Sequence, residues 1–289
     1  MEKDVELFIF DDTTYSQFAK ELDSLFVHLH PASRYFLNSF LEKKRLEYWF
    51  KPGRYLLSKS FSVNDVVNKI RSRSQDPVLV TFNSMDDIES LFGVLGAQLQ
   101  IDSIDFVNYI DSSAISVDSL SLFLLPNTYE VFWDISPLNF LKRMQIEYDK
   151  FWTPARLNAA KKNNLSKNDV FVLASIVDKE ASHYDEMNTI SGLYLNRLKY
   201  NWNLSADPTI VYSMKKKYKK IIRRVRNKHI KKTKNSPYNT YYHKGLPPLP
   251  ICIPSLQSIE SVLSPEEHNY MYMCARADNS ESLRLSFLG

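Results

Sequence analysis

Glu180 is the acidic residue whose setting in the sequence points to chemistry. It follows Val170, Leu173, Ala174 and Val177, apolar residues at the i, i+3, i+4, i+7 spacing of one buried helical stripe. At roughly 100° per residue Glu180 lies on the edge of that stripe, whereas Asp178 and Lys179 point elsewhere. A carboxyl aimed at an apolar face is costly to ionise unless it is paired. Burial raises its pKa, which suits a general acid working near neutral pH. The competing reading is a helix-end carboxylate that forms a salt bridge with a neighbouring Arg or Lys.

A helix has to hold Glu180 in place, and Ser166 with Asp169 three residues on supplies its start, a weaker form of the S-x-x-E capping box. Upstream, residues 5–10 (VELFIF) have strand length, and Asp11-Asp12-Thr13-Thr14 offers helix N-caps. Phe18, Leu22, Leu25 and Phe26 follow at helical spacing, a second helix covers about 33–44, and residues 48–57 read as a turn and strand punctuated by Lys51-Pro52-Gly53. Ser62 with Asp65 opens another helix, to Arg71, and Pro77–Phe82 reads as a strand. Helices are expected around 86–99, 104–109 and 137–152. Pro247, Pro248, Pro250 and Pro254 make the stretch after Tyr238 a loop. Helices mixed with short strands, without an internal repeat, predict an α+β fold.

The 289 residues are 44% hydrophobic and 13% aromatic, enough for one large or two modest cores. The net charge of +4 is unevenly placed. Lys215–Lys234 holds 12 basic and no acidic residues, leaving 25 basic against 33 acidic elsewhere. This run interleaves Tyr218, Ile221, Ile222, Val225 and Ile230 with charge. It could form a basic amphipathic helix for nucleic acid, anionic lipid or a teichoic-acid-like polymer, or be a solvated insertion. It is expected to lie remote from Glu180 or at the rim of its groove. Cys252 and Cys274 define no disulfide framework, and no His or Cys spacing forms a metal site, so no metal or cofactor is expected. The sequence shows no membrane-spanning run and no leader after its polar opening. That reads as a cytosolic chain or a piece whose targeting segment was cut away.

Four strings occur in order: ASIVDKE (174–180), ISGLYLNRL (190–198), ADPTIVY (206–212) and SPYNTYYHKGLPPLPI (236–251). Together they resemble the endolytic murein transglycosylase, or YceG-like, family. PNTYEVFW (126–133) is similar to a further family element, and KPGRYLL (51–57) to the end of the family's small LysM-like module. The resemblance implies a LysM-like module over residues 1–60 and a larger catalytic domain over 61–289. It also implies an enzyme that cuts the β-1,4 bond between N-acetylmuramic acid and N-acetylglucosamine in peptidoglycan glycan strands. No water is added, and the product is a 1,6-anhydro-muramyl end. The family's catalytic glutamate falls on Glu180.

One carboxyl suffices on that chemistry. Other glycosidases need two because a nucleophile or an activated water must be supplied; here the 6-hydroxyl of the sugar replaces the water. Asp207 is read either as a groove residue beside Glu180 or as a turn residue before proline. Tyr238, Asn239, Thr240 and Tyr241 combine aromatic faces with amide and hydroxyl groups, a mixture suited to binding sugars, or else form a rigid loop packed by its own tyrosines. Asn196 and Arg197 are expected to make structural hydrogen bonds. The family further implies a periplasm-facing position in the cell envelope, anchored in the inner membrane by a segment outside this sequence. Peptidoglycan synthases (penicillin-binding proteins) are implied partners, and nucleic acid is not. Ser205, Leu249 and Ile253 depart from the usual Gln, Gly and Asn. The end, ARADNSESLRLSFLG, lacks the family's G-x-H-x-F-like stretch and reads as truncated or divergent. A peptidoglycan-binding scaffold without activity, and a nucleic-acid-binding protein, are the competing functions.

Overall fold

Both Ser-x-x-Asp strings cap helices in the structure, a computed structural model that describes residues 4–29, 34–113, 115–275 and 285–288. In each box the serine hydroxyl accepts from the backbone N–H of the aspartate, and the aspartate carboxylate accepts from that of the serine. In chain order the elements are β1 (Val5–Ile9), α1 (Tyr15–Leu29), α2 (Arg34–Lys43), α3 (Leu46–Trp49), β2 (Gly53–Leu57), α4 (Val63–Arg71), β3 (Val78–Phe82), α5 (Ile88–Gly96), α6 (Ser103–Ser112), α7 (Val117–Leu120) and β4 (Asn127–Val131). There follow α8 (Pro137–Phe151), α9 (Pro154–Lys162), α10 (Lys167–Glu180), α11 (Met187–Lys199), α12 (Asp207–Tyr218), α13 (Asn227–Lys232), α14 (Leu256–Leu263), β5 (Tyr272–Ala275) and β6 (Leu285–Leu288). The fold is α+β, its strands forming two-stranded sheets β1–β2, β3–β4 and β5–β6.

The chain divides into two compact units. The first takes in the residues up to Thr81 with Gly93–Phe106 and Thr128–Asn139. Here β1 and β2 pair antiparallel, from Val5 opposite Leu57 to Ile9 opposite Gly53. Leu7, Ile9, Tyr55 and Leu57 alternate onto the face covered by Phe18, Leu22 and Phe26 of α1, all fully buried. Where a turn was expected before β2, Leu46 is buried and anchors the helical turn of α3. The unit continues past residue 60, because α4 packs on β2 and α3, and Arg73 binds Asp134 at 2.5 Å.

The second unit comprises Phe82–Phe92, Val107–Asn127 and the residues from Phe140 onward. Its centre is α10, against which α9, α11, α12 and α14 all pack. The expected single stripe is a full circumference instead: every residue from Val170 to Val177 is buried. Four surrounding helices leave no solvent face, which accommodates Phe171, Val172 and Ile176 as well. The one polar residue in this stretch, Ser175, is satisfied. Its hydroxyl donates to the Val172 carbonyl at 2.7 Å and accepts from the Ile251 N–H at 3.0 Å. The basic run does not form one amphipathic helix, one of the readings open for it. α12 ends where Lys219 turns left-handed, residues 219–226 are non-helical, and α13 follows. Among the described residues no helix is long and apolar enough to cross a membrane.

Residues 264–271 lie along α11, held by Asn188, Asn196 and Arg197. The Asn196 amide donates to the His268 and Tyr270 carbonyls at 2.8 and 3.1 Å. The Asn188 amide donates to the Ser264 carbonyl at 2.6 Å. Gly192 makes this approach possible, since a Cβ there would stand 2.3 Å from the Glu266 carbonyl oxygen and 2.7 Å from the His268 ring. Gly192→Ala is therefore expected to lower unfolding free energy by roughly 1–3 kcal/mol in urea titration. This holds despite the gain of about 1 kcal/mol in helix propensity that alanine normally brings.

Candidate active site

Glu180 is the last residue of α10, so a helix whose middle, Val170–Val177, is buried delivers its carboxyl to the end of the core. Two elements meet it there. Tyr194, fully buried on α11, donates its hydroxyl to Glu180 Oε1 at 3.0 Å. Asp207, the first residue of α12, presents its backbone N–H to the same carboxyl. Ser205, with φ of 49°, turns the chain through the left-handed region just before this helix start. Arg197 lies behind both contacts. Its Nε donates to the Met271 carbonyl at 2.9 Å and its Nη1 to the Leu204 carbonyl, and its guanidinium stands 5.7 Å from the Tyr194 ring centroid.

These groups oppose one another electrostatically. Burial pushes the Glu180 pKa up, the Tyr194 hydrogen bond pulls it down, the Asp207 charge raises it, and the Arg197 charge and the Asp207 N–H lower it. The outcome is a rise from the ordinary value of 4.5 to about 7. The C-terminal end of α10 adds to the disfavour of negative charge, while the N-terminal end of α12 favours it. Burial first, then the Glu180 charge, keep the Tyr194 phenol well above its ordinary range, so it remains a proton donor. Burial thus moves the Glu180 carboxyl towards neutral pH, the range in which one group can both give and take a proton.

Glu180 opens onto a cavity of about 480 Å³ whose lining includes Asp207, Tyr212, Lys215, Arg223 and Arg224. Part of the basic run, expected to be remote from Glu180 or at the rim of its groove, thus lines the cavity itself. Asp207 is exposed and is held by the Tyr241 hydroxyl at 2.6 Å. The other loop residues expected to meet sugar are placed differently. Tyr238, Asn239 and Thr240 are buried, and the polar groups of Asn239 and Thr240 bond inside the protein. The Asn239 amide donates to the Ile230 carbonyl at 2.9 Å and Thr233 Oγ1 at 3.0 Å, while its oxygen accepts from the Tyr241 N–H at 3.0 Å. Thr240 Oγ1 accepts from the Ala206 N–H at 3.0 Å and bonds Thr209 Oγ1 at 2.9 Å. The Tyr238 ring packs on Tyr212, centroids 4.7 Å apart. These three residues shape the walls that carry Asp207 and Tyr241, because buried amide and hydroxyl groups must find partners within the fold. Asp178 fastens two segments to α10. It accepts from the Ser84 hydroxyl at 2.6 Å and the Ser255 N–H at 2.9 Å. Among the described residues no cluster of His, Cys, Asp and Glu could hold a metal ion.

Sequence reasoning missed Tyr194 as the partner of Glu180. It lies 14 residues away on another helix, and only its presence within ISGLYLNRL marked that helix at all.

Comparison with known proteins adds the lineage. The YceG-like family profile matches residues 7–286. An endolytic murein transglycosylase of Bacillus subtilis (strain 168) is 28% identical over 156 residues, 54% of this chain and 42% of that protein. One of Streptococcus pneumoniae serotype 2 is 26% identical over 269 residues, 82% of this chain and 48% of that protein. The chain thus spans about half the length of the curated relatives it matches. A yceG-like protein of Listeria monocytogenes, known from a 2.6 Å crystal structure, shares the fold with a TM-score of 0.58 at 21% identity. That likeness covers 100% of this chain and 96% of that one.

The raised pKa has a consequence for stability. Between pH 4.5 and about 7 the folded state holds a proton on Glu180 that the unfolded state releases, so this group costs stability as pH rises through that window. Glu180→Gln removes the ionisation and keeps an acceptor for Tyr194. The variant is expected to be more stable than the parent at pH 8, by roughly 1–3 kcal/mol, and equal to it near pH 4, in paired urea titrations.

Proposed function

The chain belongs to the YceG-like family, and from that premise we propose that it is an endolytic lytic transglycosylase of peptidoglycan, with Glu180 as its acid/base. The observation that carries this reading is the Glu180 carboxyl, shifted to about 7 by burial at the mouth of a cavity. The names of the similar Bacillus and Streptococcus proteins support the substrate class.

In the proposed reaction, protonated Glu180 gives its proton to the glycosidic oxygen as the muramyl C1–O bond breaks. The carboxylate so formed is stabilised by the Tyr194 hydroxyl and the Asp207 N–H. It then takes the proton of the muramyl 6-hydroxyl as that oxygen closes on C1, giving the 1,6-anhydro sugar and returning Glu180 to its starting state. Atoms and protons balance without water, nucleophile or cofactor. Asp207, steadied by Tyr241, is positioned to hold a sugar hydroxyl. Residues 1–60 are proposed as a LysM-like glycan-binding module. The site of action is proposed as the cell envelope, with an inner-membrane anchor, a periplasm-facing catalytic domain and peptidoglycan synthases as neighbours.

Muropeptide mass spectrometry after digestion of purified sacculi tests the reading. The native chain is expected to generate anhydro-muramyl ends, and Glu180→Gln to lose about 10²–10⁴-fold in rate or more, since one group serves both proton transfers. Turnover should fall as pH rises through about 7, because the acid must begin protonated. Asp178→Asn should keep turnover within about tenfold while lowering stability by roughly 1–2 kcal/mol through its two weakened bonds. Native turnover by Glu180→Gln beside an inactive, folded Asp178→Asn would reassign the acid. Binding of strands without cleavage by the native chain would favour the scaffold function.

A further inference from the structure

The cavity that holds Glu180 carries more positive charge than the proposed proton transfers use. Four cationic side chains line it, and two are neutralised within the fold. Lys179 pairs with Asp86 at 2.5 Å, and Lys215 pairs with Asp87. Arg223 and Arg224 have neither ion pair nor hydrogen bond among the described residues. They are exposed, adjacent, and carried on the non-helical link between α12 and α13. That link is secured at its base. The Tyr218 hydroxyl donates to the Lys232 carbonyl at 3.1 Å, and buried Asn239 holds the Ile230 carbonyl. Two guanidinium groups thus line the same cavity as the candidate acid, and neither is engaged in an ion pair among the described residues.

We infer that Arg223 and Arg224 form a carboxylate-binding wall of the glycan groove, a reading that rests on Glu180 being the acid of a peptidoglycan-cleaving site. A guanidinium matches a carboxylate with two parallel N–H···O bonds, which fixes orientation as well as charge. The rest of the lining selects among anions. Glu180, Asp207 and Asp86 share the cavity, so a polyanion such as nucleic acid would bring phosphates against carboxylates along much of its path. A glycan strand is neutral along its backbone and bears isolated carboxylates on its muramyl branches, which suits a groove of mixed charge. Those carboxylates have two sources. In a denuded strand the lactyl group ends in a free carboxyl, and in a substituted strand the attached peptide supplies its own.

Binding is measured apart from turnover, by fluorescence anisotropy of labelled strands on the full chain carrying Glu180→Gln. Three preparations serve as probes: peptide-bearing strands, denuded strands, and denuded strands whose lactyl carboxyls are converted to methylamides. A carboxylate-bearing preparation is expected to bind at least about tenfold more tightly than the methylamide one. Adding Arg223→Gln and Arg224→Gln should abolish that preference without changing thermal unfolding, since neither side chain has a partner in the fold to lose. Preference for the denuded strand assigns the lactyl carboxyl, and preference for the peptide-bearing strand assigns the peptide. Equal affinity for neutral and anionic strands, no binding of any strand, or a preference untouched by the arginine substitutions would overturn the inference. Tighter, arginine-dependent binding of a single-stranded DNA oligonucleotide of matched length would overturn it in favour of nucleic acid. If the carboxylate preference holds while the native chain makes no anhydro-muramyl ends, the transglycosylase reading fails and the binding wall stands.

Discussion

The structure of the second unit depends on a contest over one carboxyl. The middle of α10 is buried on every side, and its last residue is an acid, so the helix that forms the core also carries Glu180 into surroundings that disfavour its charge. Burial is the largest influence on the group and favours its neutral form, which cannot take back a proton. Tyr194, the Asp207 N–H and the charge of Arg197 restore part of what water would have supplied. The balance near 7 requires each donor to stand where it does, within hydrogen-bond reach for two of them.

Much of the surrounding architecture serves to hold those donors. Arg197 grips the Leu204 carbonyl on one side and Met271 on the other, tying the approach to α12 to the segment beyond α14. Thr240 and Thr209 bond to each other and to Ala206, the residue just before α12. Asn239 ties the loop that carries Thr240 to α13, through the Ile230 carbonyl, and accepts from the Tyr241 N–H. Such a buried polar network is stable only when each member is satisfied, and it orders the loops more sharply than apolar packing would. The loop that reads as a sugar-binding surface is in large part this scaffold, with Tyr241 carrying its effect to Asp207.

Charge is distributed by the same logic of local compensation. The lysines beside the cavity find aspartates from residues 86–87, and Lys216 binds Asp118 at 2.6 Å while standing over the Tyr212 and Tyr238 rings. Within the basic run Lys215 and Lys216 are thus paired with aspartates, whereas Arg223 and Arg224 line the cavity without an ion pair among the described residues.

The sequence by itself determined the helices with their caps, because Ser62, Asp65, Ser166 and Asp169 act within one turn of the chain. It also put Glu180 at the end of an apolar helical stretch, because the 3.6-residue period continues to that position. The order of β1, α1, α2 and β2 was legible for the same local reason, the short α3 excepted. Only the tertiary structure decided that α10 is enclosed all round, since a single helix cannot show how many neighbours will cover it. It alone brought Tyr194 and Asp207 to Glu180 from 14 and 27 residues away. It turned Tyr238, Asn239 and Thr240 inward, because whether a polar side chain faces a ligand or the core depends on which distant backbone groups need a partner. And it set Arg223 and Arg224 against the cavity, because charge counted along the chain does not say which cations will find an aspartate in space.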